Sequence, residues 1–278
     1  MTISRAARRR KRIQRRHARH SGVWRIAGGA RLALQVAPST IRIVVVTVSL
    51  VAVLAAVNGI VQVARKPSEL LFPVSGSLAK TPAQTWRAYG PLFEKHSTAV
   101  IRPELLAALA QVEGSGNPIA RTYWKWRFTW NPFEVYRPAS SAEGMFQITD
   151  GTFAQARRYC IHDHIVVEEG PWHDLRSCWF NALYTRVVPD HAVELTAALL
   201  DSTVEGTLKR SRISTASLQQ RQDLAAVIHL CGAGVGNAYA KRGFLLRRGE
   251  RCGDHNTRSY LAQVNRLKRQ FAELTASG

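Results

Sequence analysis

Apolar positions along this chain recur in two different ways. Residues 43–64, "IVVVTVSLVAVLAAVNGIVQVA", form an unbroken uncharged run. At ~1.5 Å per residue such a run crosses a bilayer core of roughly 30 Å. Beyond it, apolar residues return at helical spacing. The pattern predicts helices around 82–96, over 103–113, in the second half of 140–160, over 188–208 from a cap at Asp190, and over 217–236, where three glycines stop the run. A last helix is predicted over 257–274, with Tyr260, Leu261, Val264, Leu267 and Phe271 on one side. Residues 66–82 are rich in Pro, Ser and Gly and read as a linker, and 118–139 as an aromatic loop. Convincing strand pairs and repeats are missing, apart from a small β excursion near 160–175. The expected architecture is an all-α, mainly helical exported domain (83–278). It stands behind a basic cytoplasmic arm (1–42), one N-terminal transmembrane helix (43–64) and a linker (65–82).

Charge sharpens this picture. The chain carries +20 in total. Residues 1–42 hold twelve Lys or Arg and no acidic residue, whereas 67–278 hold 25 basic and 19 acidic residues, a balance of +6. A basic arm ahead of an apolar span predicts a cytoplasmic N-terminus, with the bulk of the chain outside. The length of the leader and of the span favours an uncleaved anchor over a signal peptide cut near Ala55–Ala56. The arm "RRRKRIQRRHARH" also has the charge to touch nucleic acid or anionic lipid. A topology signal accounts for it, and nucleic acid is not an expected partner.

All four cysteines follow the span, and an even count in an exported domain predicts two disulfides. Of three pairings, Cys160–Cys178 and Cys231–Cys252 are expected, because each closes a short loop. Zinc held by Cys160, His162 and His164 of "CIHDH" is the rival reading, without a C-x-x-C pair to support it. No metal or cofactor is expected.

One stretch carries candidate chemistry. In "RPELLAALAQVEGSGNP", Pro103 suits the first helical turn and Glu104 the positive end of the dipole. Leu106, Leu109, Ala110 and Glu113 then fall on one stripe, and Gly114 and Gly116 end the helix. Glu113 therefore lies on the apolar face at the negative end, where burial and the dipole both disfavour an ionised carboxylate. That placement suits a general acid. The alternative is a glutamate at a frayed helix end, turned to solvent.

The run "QVEGSGNP" (111–118), followed by "SSAEGMFQITDGTF" (140–153), "AAVIHLCGAGVG" (225–236) and the late helix opening Thr257-x-x-Tyr260, resembles the transglycosylase SLT family of lytic transglycosylases, relatives of goose-type lysozyme. The resemblance spans roughly residues 85–275 and implies a lysozyme-like fold. It also implies a role for Glu113 as the catalytic residue. Ser115, Gly144, Gln147, Thr152, Gly232, Gly234 and Tyr260 match other positions of the family's pattern. Ser115, Met145, Phe146, Gln147, His229 and Tyr260 are the expected substrate contacts, joined by Trp130 and Tyr136 from the aromatic segment. The chain departs from the pattern in several places. Gly114 displaces the serine by one position, Phe146 stands where Met is usual, and His229, Leu230 and Cys231 replace a Tyr-Asn-Ala run.

In that family one glutamate suffices, because the substrate's own N-acetyl group attacks the anomeric carbon. Most glycosidases need two carboxylates. The resemblance thus implies cleavage of the MurNAc–GlcNAc β-1,4 bond of peptidoglycan, leaving 1,6-anhydro-muramyl ends. Glu134 or Glu143 as a second carboxylate would turn the reaction toward muramidase hydrolysis, and Asp150 is expected to cap the helix that follows. A catalytically degenerate peptidoglycan-binding module is the non-enzymatic alternative. Glycan strands, the membrane through 43–64 and an envelope or secretion complex are the partners to consider.

Overall fold

The structure, a computed structural model, describes residues 37–174 and 176–276. Residues 1–36, which hold nearly all of the basic arm, lie outside the described residues. The chain is mostly helical and divides into two compact units. The first comprises the described part of Met1–Val61 together with Thr129–Val135, and the second comprises Gln62–Phe128 and Tyr136–Gly278.

The first unit is dominated by helix α1 (Ser39–Arg65), whose final turn runs into the second. Nearly all its side chains are exposed, and it is the one helix among the described residues with the length and apolarity to cross a membrane. Asn58 and Gln62 are its buried polar positions, and the Asn58 side-chain amide donates to the Pro132 carbonyl at 3.2 Å.

The second unit begins where a linker was expected. Residues Pro67–Leu71, Phe72–Ser75 and Gly76–Leu78 instead form short helical turns. Glu69 anchors them. It is 5% exposed, accepts from Arg121 at 2.8 Å and from the Trp124 indole at 2.9 Å, and pairs with Lys66 at 3.3 Å. Further along, the Asn117 amide donates to the Ser75 carbonyl at 2.6 Å. Composition alone suggested a spacer, but its polar groups have partners more than forty residues away.

Helices α2 (Pro82–Lys95) and α3 (Pro103–Gly114) follow. A capping box between Thr81 and Gln84 starts α2, while α3 opens on Pro103 at its first turn. Apolar periodicity predicted a single buried stripe on α3. In the structure Leu105 to Ala110 are all buried, because α2 and α7 (Thr257–Ala276) pack on the helix and Met145 and Phe146 join the same core. A helix apolar all round belongs at the centre of a core.

The aromatic segment is no simple loop, since β1 (Trp124–Trp126) pairs with β2 (Tyr136–Pro138). A short helix α4 (Asp150–Ala156) begins at Thr149, whose hydroxyl accepts from the Thr152 amide. Asp150 was expected as that cap and is instead the first helical residue, bonded to Arg186 at 2.8 Å. Next come the β3 (Tyr159–His162)–β4 (Ile165–Glu168) hairpin, at the position of the anticipated β excursion, and α5 (Pro189–Ser211). Here too Asp190 is not the cap. It sits in the first turn of α5 and binds His96 at 2.8 Å and Lys95 at 3.0 Å.

Helix α6 (Leu218–Lys241) does not stop at its glycines. Gly232, at φ 80°, kinks it, and the helix then resumes. A third small pair, β5 (Arg251–Cys252) with β6 (His255–Asn256), leads into α7.

Both cysteine pairs form as expected. Cys160 and Cys178 stand 5.4 Å apart at Cα, tying β3 to the segment before Trp179, and Cys231 and Cys252 stand 5.3 Å apart, tying α6 to β5. Non-reducing peptide mapping is expected to recover these two linkages and no others. The Cys231→Ser/Cys252→Ser double variant is expected to lose about 2–4 kcal/mol in urea unfolding. An unchanged midpoint would contradict that role.

Candidate functional site

Glu113 occupies the last turn of α3. Its side chain is 18% exposed, so it is neither splayed into bulk water nor sealed in the core. The Tyr260 hydroxyl of α7 donates to Glu113 Oε1 at 2.6 Å, and His229 Nε2 of α6 lies 3.8 Å from the same oxygen. Among the described residues Oε2 has no hydrogen-bond partner. Three helices thus converge on one carboxylate, with Oε1 held and Oε2 available.

The backbone just beyond Glu113 explains its setting. The Ser115 amide bonds back to Gln111 O at 3.1 Å and the Gly116 amide to Ala110 O at 3.0 Å, with Ser115 left-handed at φ 51°. This reversal ends the helix abruptly. A Cβ at Gly114 would stand 2.8 Å from Met145 Cα and 2.9 Å from Met145 O. A glycine at position 114 is therefore required by close approach of the 141–148 loop. Ser115 itself is exposed, and its carbonyl accepts from the Lys80 amide at 2.8 Å.

That loop carries the second motif. Gly144 adopts φ 75° against the Arg186 carbonyl, a conformation and contact that exclude a side chain. Gln147, at φ 48°, donates through Nε2 to Gly144 O at 2.9 Å and Ala120 O at 3.1 Å, so its amide nitrogen braces the turn. Met145 and Phe146, expected as substrate contacts, have no exposed surface and belong to the core. Alternation along an irregular loop carried no signal of their direction.

Gln147 and His229 nonetheless share a groove of about 250 Å³, lined also by Ile148, Thr149, Thr152, Leu199 and Gly232. Glu113 is not itself among the lining residues; one of them, His229, lies 3.8 Å from its Oε1. A Cβ at Gly232 or Gly234 would meet nothing within 4 Å, so close packing is not why those glycines are there. Of the aromatic candidates, Trp130 belongs to the first unit and is fully exposed. Tyr136 packs on Trp124 and Trp126, at centroid distances of 5.1 and 4.7 Å, in the hairpin beside Glu69. It is not among the residues lining the groove.

Glu143, one candidate second carboxylate, is buried against Arg186 at 3.2 Å and accepts from Ser68 at 2.6 Å. Arg186 also donates to the carbonyls of Ser141 and Ile148 at 2.8 and 3.0 Å. This arginine holds the 141–148 loop in place and went unnoticed in the sequence, lying about forty residues from its partners with no local pattern to mark it. Among the described residues no group of His, Cys, Asp and Glu is placed to hold a metal ion. Cys160 is instead joined to Cys178.

Burial, then the neighbouring Glu113 charge and hydrogen bond, hold the Tyr260 phenol well above its ordinary value of 10.0. Tyr260 therefore keeps its proton and remains a hydrogen-bond donor to Glu113 throughout the physiological range. Comparison with protein-family models, curated proteins and solved structures gives no match to this chain.

Tyr260→Phe is expected to cost about 1–3 kcal/mol in denaturant unfolding, the range for a buried hydrogen bond. The folded chain also holds the Tyr260 proton more tightly than the unfolded chain does. Its stabilising share is thus complete below pH 10 and lost as pH rises beyond that. Burial raises Tyr239 too, to about 12, so the alkaline fall should be smaller, not absent, in Tyr260→Phe. An identical pH dependence in both proteins would contradict the burial of this phenol.

Proposed function

We propose that the second unit is a lysozyme-like, peptidoglycan-cleaving lytic transglycosylase that uses Glu113 as its single catalytic residue. The observation that supports this reading best is the carboxylate itself, gripped by Tyr260 at 2.6 Å on one oxygen, partly exposed, and 3.8 Å from His229, which lines a groove together with Gln147. These residues come from the very motifs that resemble the family. Helix α1 serves as the membrane anchor in this proposal, with the N-terminus cytoplasmic and the second unit in the periplasm, near the glycan strands. The +6 balance of residues 67–278 suits an anionic polymer.

The chemistry needs one proton and returns it. Glu113 gives its proton, from Oε2, to the oxygen linking MurNAc C1 to GlcNAc, and the C1–O bond breaks as the N-acetyl oxygen of the muramyl residue attacks C1. The carboxylate then removes the proton of the C6 hydroxyl, whose oxygen attacks C1 and displaces the acetamide. Glu113 is protonated again, and no water is consumed. Tyr260 holds the carboxylate orientation throughout, as a positioning residue. His229 lines the groove, where its imidazole offers the sugar a hydrogen-bonding edge.

Hydrolysis by a lysozyme-like route would require a second carboxylate free to activate water. Glu143 is a poor candidate, being tied to Arg186 and Ser68. Digestion of purified wall sacculi by the full chain in detergent, followed by mass analysis of the soluble fragments, tests the reading. Muropeptides ending in 1,6-anhydro-muramyl groups, one water lighter than reducing-end products, are expected. Reducing ends would assign a muramidase, and binding without release of fragments would assign a wall-binding module.

A further inference from the structure

Outside α1, large apolar side chains are exposed at several places, among them Ile165, Trp172, Leu183 and Leu245, but two groups lie on segments next to α1 in the chain or fastened to it. Leu70, Leu71 and Val74 stand out from the turns that follow the helix, at 68%, 42% and 50% exposure. In the hairpin region, Trp126 is 75% exposed and Phe128 wholly so. Side chains this exposed do not anchor a loop on a core. Trp124 and Tyr136 do that work instead, packed on each other at a tilt of 42° with the Trp124 indole bonded to Glu69.

Two observations place this hairpin at the point where the apolar helix ends. In the second unit, Glu69 ties Arg121 and Trp124 to Lys66, the residue directly after the last turn of α1. In the first unit, the loop between the strands reaches the helix, with Pro132 O accepting from Asn58. Asn58 precedes Arg65 by seven residues, roughly 10 Å along the axis at ~1.5 Å per residue. The loop thus meets α1 in its last two turns or so, near the end from which the second unit continues. Trp130, two residues before Pro132, is fully exposed.

We propose that the aromatic hairpin 123–136 seats in the headgroup layer of the bilayer that α1 crosses, so that its occupant is a phospholipid surface. The inference rests on reading α1 as a membrane span. Trp126, Phe128 and Trp130 present the amphipathic or apolar rings that favour the boundary between headgroups and acyl chains. Lys125 and Arg127 alternate with them along the chain and suit anionic lipid phosphates, their stems lying along the apolar layer. The segment is therefore a second attachment to the membrane and not a sugar-binding wall.

Depth-resolved quenching tests this on the full chain, reconstituted in phosphatidylcholine–phosphatidylglycerol vesicles with bromine placed either shallow or deep on the acyl chains. Subtracting the tryptophan emission of Trp126→Phe/Trp130→Phe from that of the unaltered protein isolates these two rings. The difference emission is expected to be quenched by the shallow label and shielded from aqueous acrylamide. Lys125→Glu/Arg127→Glu should lessen the shallow quenching while the chain still floats with the vesicles. Difference emission that acrylamide quenches and brominated lipid does not would overturn the proposal, as would shielding by soluble glycan fragments in place of lipid. Release of the chain from vesicles by carbonate would remove the membrane span, and this inference with it, but would leave the wall-cleaving reading intact.

Discussion

The hydrogen bond from Tyr260 to Glu113 joins positions 147 residues apart and fixes a carboxylate at the edge of the helical core. Helix α3 is buried on every side from Leu105 to Ala110, so its path is set by the packing of α2 and α7 around it. Its last turn, from Gln111 to Gly114, is partly exposed, and the reversal at Ser115 and Gly116 turns the backbone away at once. A carboxylate at such an exit is desolvated on one side and reachable on the other. Tyr260 removes the remaining freedom by holding one oxygen, from a helix whose own stripe of Val264, Leu267 and Phe271 is locked in the core. The site inherits its rigidity from that packing.

A second layer of order is electrostatic. Glu69, Glu143 and Arg186 are buried or nearly so, and each is shared among several partners. Such networks add little net stability, since desolvation offsets much of the attraction, but removing one member leaves a stranded charge. Here they fix loops that apolar packing alone would leave free. Arg186 sets the 141–148 turn, and with it Gln147. Glu69 sets the turns after α1 and the aromatic hairpin.

What could be read in the sequence follows from how far each signal reaches along the chain. The five main helices after the span were legible, because 3.6-residue periodicity is local and α3, α5, α6 and α7 repeat it over several turns. Glu113 and Tyr260 were legible as residues on helical stripes, and the structure brings them together with His229. The direction of Met145 and Phe146 was not legible, since a loop has no period to tell inside from outside, and both are core. Strands of two to four residues fall below the length at which alternation can be recognised, which hid β1–β2 and β5–β6. The caps assigned to Asp150 and Asp190 went instead to Thr149 and to no side chain at all, a shift of one or two residues that composition cannot resolve. Residues 66–82 misled for a different reason: a Pro, Ser and Gly content suited to a linker coexists with long-range partners that only the fold supplies.

All the proposed chemistry passes through one carboxyl group, and replacing it by its uncharged isostere is the most direct challenge. Glu113→Gln keeps the size of the side chain and an oxygen for the Tyr260 hydroxyl to bind, so thermal unfolding should be nearly unchanged. Release of soluble muropeptides from purified sacculi should fall by about 100-fold or more, the scale of a lost general acid. A variant that folds normally and still releases fragments at close to the original rate would show that the bond is cut by some other group.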